Sequence, residues 1–355
     1  MTMTRESTAQ QRGVSSWQSD LRSIPSVSRW VTRYSSSGQP YQAQERGLPR
    51  ISDHFLNCVV YLYPSEAEAQ EGKNIGGSGF LVGIPLDEQQ KRFSLFVVTN
   101  KHVVDHGNMT VRINTRFGET DIISLEEELW FAHPDGDDLA ICGIGLSSEL
   151  HQVDFIRPDH WVDKEWIKET DIGPGDDVFV VGRFISRDGQ QQNRPTVRFG
   201  NIAQMPGDPI VTETGHKQES FLVEIRSMSG YSGSPVFVRY TTHVTPPGAK
   251  KYPYAGILVQ GFGLLLGVDF CHIHSREPVI DNVTKRPVNP DWYVSSNTGM
   301  AGIIPAWKLA DIFENEELKR LIEEVKVKQK NRLQGEVTRL SSDTAQTDRP
   351  QKPDE

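Results

Sequence analysis

The chain has 355 residues, 36% of them apolar, and a formal net charge of −9, which is room for two ordinary domains or one two-lobed unit with polar ends. The acidic balance argues against general nucleic-acid binding, which needs a basic surface. Three widely spaced cysteines, Cys58, Cys142 and Cys271, exclude a disulfide framework and a Cys-x-x-Cys zinc pattern, and the lack of any run of about 18 apolar residues excludes a membrane-spanning helix.

Residues 1–50 are rich in Ser, Gln, Thr and Arg. They read as a disordered or regulatory arm, with Trp17, Leu21 and Ile24 at helical spacing before Pro25 interrupts. The first residues lack the apolar core of a secretion signal, so the expected location is cytoplasmic, away from membranes. A composition shift near Ile51 opens the folded part. There, short β-type runs alternate with turns: CVVYLY (58–63), GGSGFLVGI (76–84), LFVVTNKHVV (95–104), MTVRIN (109–114), ELWFAH (128–133) and DLAICGI (138–144). The polar, aromatic stretch 151–172 reads as a linker. A second group follows: DDVFVVGRF (176–184), TVRFGNIAQM (196–205), SFLVEIR (220–226), SPVFVRY (234–240), LLLGVDFCHI (264–273) and MAGIIPAW (300–307).

Two groups of six strands predict an all-β chain of two similar barrels, one over 51–150 and one over 173–305. The Pro-rich stretches 241–256 and 274–293 read as surface loops. Apolar residues at helical spacing predict one helix over 306–334, docked on the second barrel through Leu309, Ile312 and Phe313. The polar tail 335–355 reads as disordered.

Within the second group, GYSGSP (230–235) frames Ser232 with two glycines, which suits an exposed turn whose N–H groups converge on one point. An ordinary strand connection has the same composition. A serine hydroxyl becomes a nucleophile only beside a base. Of the ten histidines, His102 follows an apolar strand and stands at a strand end or tight turn. Asp138 directly precedes the strand LAICGI. Taken singly, each is equally a surface histidine or a turn-forming aspartate.

Taken in order, TNKHVV, DLAI and GYSGSP resemble the chymotrypsin-like serine proteases, which run His, Asp, Ser along the chain. The likeness is nearest to the bacterial HtrA/Deg-type subgroup. The triad residues stand 36 and 94 positions apart (138 − 102 and 232 − 138), longer than is usual there. GGSGFLV, GPGDDVFVVGRF, TVRFGNIAQM, LLLGVDF and NTGMAGIIPAWKL resemble further strands of that family in the right order, so the likeness covers about 55–310. It implies a chymotrypsin-like double β-barrel and a serine endopeptidase in which Ser232 attacks the scissile carbonyl, His102 carries the proton and Asp138 orients the imidazole. It implies an oxyanion hole from the N–H groups of Gly230 and Ser232, and no cofactor and no metal. The strand LLLGVDF would line the substrate site through Val268, Asp269 and Phe270.

The departures are informative. Tyr231 and Ser234 replace the small polar residue and the glycine usual in the turn; Tyr231 either covers the oxyanion region or packs on the second barrel. Asp137 competes with Asp138 for the carboxylate role, but the family places that carboxylate directly before the Leu-Ala pair. Arg226 occupies the position of the trypsin pocket base, where it would favour acidic substrates unless it faces solvent. Leu264, Leu265, Val268 and Phe270 suggest instead an apolar wall suited to small or medium apolar side chains. His272 and His274 share a strand face, with no third metal ligand in view.

HtrA-type enzymes usually carry a PDZ domain, and only a charged helix and a tail are read after residue 310. The expected partners are a protein or peptide substrate, with a regulatory protein partner and a homo-oligomer left open, and no nucleic acid. The implied roles are intracellular protein quality control or a partner-activated effector protease. The alternative from another class is a catalytically silent trypsin-like scaffold that binds peptides or partner proteins.

Overall fold

A computed structural model describes residues 51–331, except 75, 185–188, 190, 212–214, 226–229, 240, 245–256, 261–262 and 329. Helix α1 (Asp53–Asn57) leads into β1 (Val59–Tyr63), whose five residues are all buried. Helix α2 (Glu66–Glu71) follows; the Ser65 hydroxyl accepts the Glu68 N–H and donates to the Glu68 carboxylate, and Gly72 closes the helix at φ 65°. Such a serine with glutamate three residues on is a helix-start signal. Next come β2 (Gly77–Pro85), β3 (Phe93–Thr99), helix α3 (Lys101–Asp105), β4 (Thr110–Asn114), β5 (Thr120–Ser124), β6 (Trp130–Ala132) and β7 (Ala140–Ile144). They form one seven-stranded sheet in the order β5-β4-β1-β2-β3-β7-β6, curled over Leu62, Leu81, Val97, Val103, Val111 and Ile113.

The connecting stretch is not bare linker. It holds helix α4 (Lys164–Thr170), started by the Asp163 carboxylate, which accepts the N–H groups of Glu165 and Trp166 at 2.9 and 2.7 Å. Then β8 (Asp177–Gly182), β9 (Thr196–Gln204), the small pair β10 (Ile210–Val211) and β11 (Lys217–Gln218), β12 (Phe221–Glu224) and β13 (Pro235–Arg239) follow. The hairpin β14 (Thr241–Val244) and β15 (Ile257–Gln260) leads to the long strands β16 (Leu264–Pro278) and β17 (Tyr293–Pro305). Six strands close a barrel in the order β12-β17-β16-β13-β8-β9. Its interior is filled by Val178, Val180, Ile202, Phe221, Val223, Val236, Val238, Leu266 and Ile303, among others. The strand pattern predicts two similar barrels; the first is a curled seven-stranded sheet and the second closes, the chymotrypsin-like double-barrel arrangement that the resemblance implies.

Two arginines lie fully buried where the halves meet. Arg112 of β4 and Arg183, just after β8, both stand over the rings of Tyr61 and Tyr63, with guanidinium carbons 4.9–5.9 Å from the ring centroids. Arg112 also donates to Asn193 Oδ1 and to the carbonyls of Ala69 and Gly189, at 2.8–3.0 Å. Aromatic faces and carbonyl dipoles thus solvate a cation withdrawn from water.

Three expectations are corrected. The stretch 274–293 is not wholly a loop, because β16 runs on to Pro278 and pairs with β17 from Tyr293, with Glu277 opposite Val294. The helix over 306–334 is broken: α5 (Trp307–Phe313) ends at Glu314, and Asn315 Oδ1 then accepts the N–H groups of Glu317 and Leu318 to start α6 (316–328). Leu309 and Ile312 are buried, but Phe313 meets Phe96 of the first sheet edge-on at 5.2 Å rather than the second barrel. Residues 1–50 and 335–355 lie outside the described residues.

Phe237 is fully buried, stacked on Phe179 at 5.1 Å and met by Phe55 at 4.7 Å. Phe237→Ala is expected to lower the unfolding free energy by about 3–5 kcal/mol, measured as a lower urea midpoint at unchanged slope.

Candidate active site

β3 ends at Thr99, and Asn100 turns the chain into the five-residue helix α3. His102 therefore sits on a helix turn, not at a bare strand end. The turn leaves the backbone N–H of His102 without a helical acceptor, and Asp138 supplies one: its Oδ1 accepts that N–H at 2.8 Å while its Oδ2 lies 2.6 Å from His102 Nδ1. An ionised carboxylate only accepts, so this contact places the hydrogen on Nδ1 and leaves Nε2 with its lone pair. Asp138 is itself held at both ends of its peptide. Its carbonyl accepts Asn100 Nδ2–H at 2.9 Å, and its N–H donates to Gln218 Oε1 at 3.0 Å. The Asp138 side chain is 17% exposed against 37% for His102, so the base faces solvent and its orienting acid does not.

The Ser232 turn is seated on the first sheet. Gly230 and Gly233 take φ values of 94° and 83°, which side chains disfavour. A Cβ at Gly233 would collide with the Ser78 carbonyl oxygen and the Thr99 hydroxyl. The turn thus rests against the strand end from which α3 starts. Ser78 fastens it: its N–H donates to the Ser232 carbonyl at 2.9 Å, its hydroxyl donates to the Gly230 carbonyl at 2.8 Å, and its carbonyl accepts Thr99 Oγ1–H at 2.8 Å. From the other side, Gly233 N–H donates to the Asp269 carbonyl at 2.9 Å. Among the described residues, the N–H groups of Gly230 and Ser232 have no hydrogen-bond partner, and Ser232 Oγ makes no hydrogen bond. Of the two joins in the series, His102–Asp138 is hydrogen-bonded and Ser232–His102 is not.

Tyr231 packs in the second barrel. Its ring is fully buried, its hydroxyl lies 2.5 Å from Thr196 Oγ1 and accepts Arg198 Nε–H at 3.0 Å, and the Arg198 guanidinium lies over the ring. Ser234 has no exposed surface and its hydroxyl abuts Gly182, so Ser232 is the accessible hydroxyl of the turn.

The candidate substrate residues fare differently. Arg226 lies outside the described residues. Val268 is fully buried, paired with Pro235 of β13 and Ile304 of β17, and Leu265 is fully buried too, beside Trp161 of the connecting stretch. Asp269 is 1% and Phe270 6% exposed; the backbone of Asp269 meets the nucleophile turn at Gly233 and Ser234. Cavities of about 230 and 410 Å³ open elsewhere, one beside Leu56, Ile113 and Asn193 and one beside Glu219, Trp307 and Lys308. The His272 and His274 rings are 4.3 Å apart, but no cluster of three metal-ligating groups occurs among the described residues. No described helix is long and apolar enough to cross a membrane.

Asp137, the rejected carboxylate, is buried and meets His216 Nε2 at 2.9 Å and Lys308 Nζ at 2.9 Å. Burial pushes its carboxyl up, but the hydrogen bond from His216 and the Lys308 ammonium outweigh it and hold the value below 3.8. Its contribution to stability is therefore complete above the unfolded value and is lost as pH falls through the lowered folded one. Ser78, Thr99 and Gln218 were not singled out from the sequence. The signal for the first was the GGSGFLV stretch itself, where a lone serine stands in an otherwise apolar, glycine-led strand.

Residues 77–244, which span His102, Asp138 and Ser232, match the family model of the trypsin-like peptidase domain. The match spans 168 of the 355 residues (244 − 77 + 1), and the architecture around it is a chymotrypsin-like double barrel. Similar solved structures include the MamO protease domain from Magnetospirillum magneticum, at 18% identity over 60% of this chain and 93% of that one, with a TM-score of 0.38. Deg5 is 17% identical over 61% of this chain and 80% of its own, with a TM-score of 0.34. The HtrA-type protease AlgW, solved with a decapeptide, is 16% identical over 68% and 53%, also at 0.34. No curated protein matches the chain.

Two predictions follow from this geometry. Ser78→Ala removes the donor to the Gly230 carbonyl and the acceptor of the Arg183 N–H, which lies 3.1 Å away; leaving buried groups unpaired is expected to cost about 1–3 kcal/mol, read by urea unfolding. The Cys271 thiol is pushed up to about 12 by burial first, then by the charges of Asp269 and Asp138, and burial also pushes Cys142 up to about 12. At pH 8 each is expected to be thiolate in roughly one molecule in ten thousand, so iodoacetamide should label them in urea and leave them intact in the folded chain.

Proposed function

We propose that this chain is a serine endopeptidase acting through His102, Asp138 and Ser232. The observation that carries the reading is the Asp138 carboxylate holding His102 by both its backbone and its ring, on the sheet against which the Ser232 turn is seated. In the reaction, Ser232 Oγ adds to the scissile carbonyl carbon as His102 Nε2 takes its proton. The tetrahedral oxyanion is received by the N–H groups of Gly230 and Ser232, each worth about 3–4 kcal/mol to the transition state. The imidazolium then gives its proton to the leaving amine, the C–N bond breaks, and water repeats the sequence on the acyl-enzyme. Asp138 stays ionised throughout and balances the imidazolium. Intracellular quality control and a partner-activated effector role both suit such an enzyme.

One observation favours the rival reading of a silent, peptide-binding scaffold: Ser232 Oγ is not hydrogen-bonded to His102. Catalytic hydrogen bonds often tighten only once substrate is bound, so a chemical test decides. A fluorophosphonate probe is expected to label the full chain on Ser232 and to fail with Ser232→Ala and with His102→Ala. Absence of labelling in the parent chain, with or without an added peptide substrate, would establish the scaffold.

A further inference from the structure

The loop that carries Asp138 is gripped by a helix well beyond the matched span 77–244. The loop closes on itself, with His133 N–H donating to the Leu139 carbonyl at 3.0 Å and Leu139 N–H to the Asp137 carbonyl at 2.7 Å. Its outer side faces α5. Lys308 Nζ stands 2.9 Å from Asp137 Oδ2 and 3.6 Å from Glu219 Oε2. Asp311, one turn on, stands 3.4 Å from His133 Nε2, and His133 Nδ1 lies 3.6 Å from Asp137 Oδ2. His216 reaches Asp137 Oδ1, and Gln218, two residues on, holds the Asp138 N–H. The Asp137 and His133 side chains are 5% and 0% exposed, so water does little to screen this charge.

Asp137 and Asp138 place two carboxylates on consecutive residues in a poorly hydrated loop. A negative charge with no counterion there would repel the Asp138 carboxylate and compete with it for the imidazolium that forms on His102. Lys308 supplies the counterion, and the buried packing of Leu309 and Ile312 fixes the helix that presents it. We propose that Lys308 is a positioning residue for Asp138: by neutralising and anchoring Asp137 it holds the adjacent carboxylate in its two hydrogen bonds to His102. Lys308 touches no reacting atom. The assignment rests on the serine-protease reading above for its consequence in catalysis, and gives the C-terminal helix a part in the site.

The test compares the full chain with Lys308→Met and Lys308→Arg by two readouts. One is the rate of fluorophosphonate labelling of Ser232. The other is the far-downfield proton resonance of the His102 Nδ1–H bound to Asp138, which reports the pair whether or not the enzyme turns over. In Lys308→Met the labelling rate is expected to fall about 10–100-fold, the range a small misplacement costs, with the resonance shifted or exchange-broadened. Lys308→Arg, which keeps the charge, should restore both. A Lys308→Met chain that labels at the parent rate with its resonance unmoved overturns the assignment. If Lys308→Met does not fold, Lys308→Gln, which removes the charge but keeps a hydrogen-bond donor toward Asp137, is expected to slow labelling and shift the resonance in the same direction, and a folded Lys308→Gln chain with both unmoved overturns it. Failure of the parent chain to label overturns the protease reading, while the resonance still decides the role of Lys308.

Discussion

The candidate site is divided between two sheets, and one buried residue joins them. Ser78 lies on the second strand of the first sheet with no exposed surface, yet its amide, hydroxyl and carbonyl are all engaged. The amide and hydroxyl hold the carbonyls of Ser232 and Gly230, the hydroxyl also takes the Arg183 N–H, and the carbonyl takes the Thr99 hydroxyl. Two of these partners belong to the nucleophile turn, and Thr99 stands three residues before His102. The distance between the two halves of the site is thus set by one side chain small enough to fit between them. A larger residue would push the turn away, and an apolar one would leave a carbonyl and an amide without partners in a dry junction.

Around that junction, charge is handled by pairing each ion with something rigid. Arg112 and Arg183 lie against tyrosine rings, and Arg198 against the ring of Tyr231. Asp138 is met by a helix-turn N–H and an imidazole, and Asp137 by a histidine and a lysine. Tyr231 shows what this permits. Where the resemblance leads one to expect a small polar residue, a fully buried ring anchors the turn in the barrel core, and its hydroxyl is satisfied by Thr196 and Arg198. The turn is fixed through its Tyr231 side chain on one face and its backbone on the other, while Ser232 itself remains partly accessible.

His102, Asp138 and Ser232 were legible because each stands in a short local pattern, next to the strand that delivers it. Ser78 and Lys308 were not, because their roles depend on contacts that no local pattern encodes: Ser78 meets Gly230 across 152 positions, and Lys308 meets Asp137 from a helix beyond the barrels. The fold class was legible in the alternation of apolar runs and turns. The β16–β17 extension was hidden by its prolines, which sit where they do no harm to the ladder: Pro278 ends β16, and Pro287 and Pro290 lie in the connection. The break between α5 and α6 was hidden because the apolar spacing carries across it, while the residue that restarts the helix, Asn315, marks its place only once the cap is recognised. For Val268 the local pattern says only that an apolar side chain stands on a strand, because such a residue looks the same whether it lines a cleft or packs between strands.

The span recognisable as a trypsin-like peptidase domain ends at residue 244, but the physical unit does not. β13, which leads out of the nucleophile turn, is paired by β8 along one edge and by β16 along the other, from Pro235 opposite Val268 to Val238 opposite Leu264. β12 is likewise covered by β17, and without these two strands the barrel has no closure. The backbone of Asp269 on β16 also holds Gly233. From there the chain passes directly into α5, whose first turn carries Lys308 to the Asp138 loop. The strands that close the barrel and the helix that follows therefore constrain all three candidate residues, and a change in how residues 264–313 pack reaches Ser232 through Asp269 and Asp138 through Lys308.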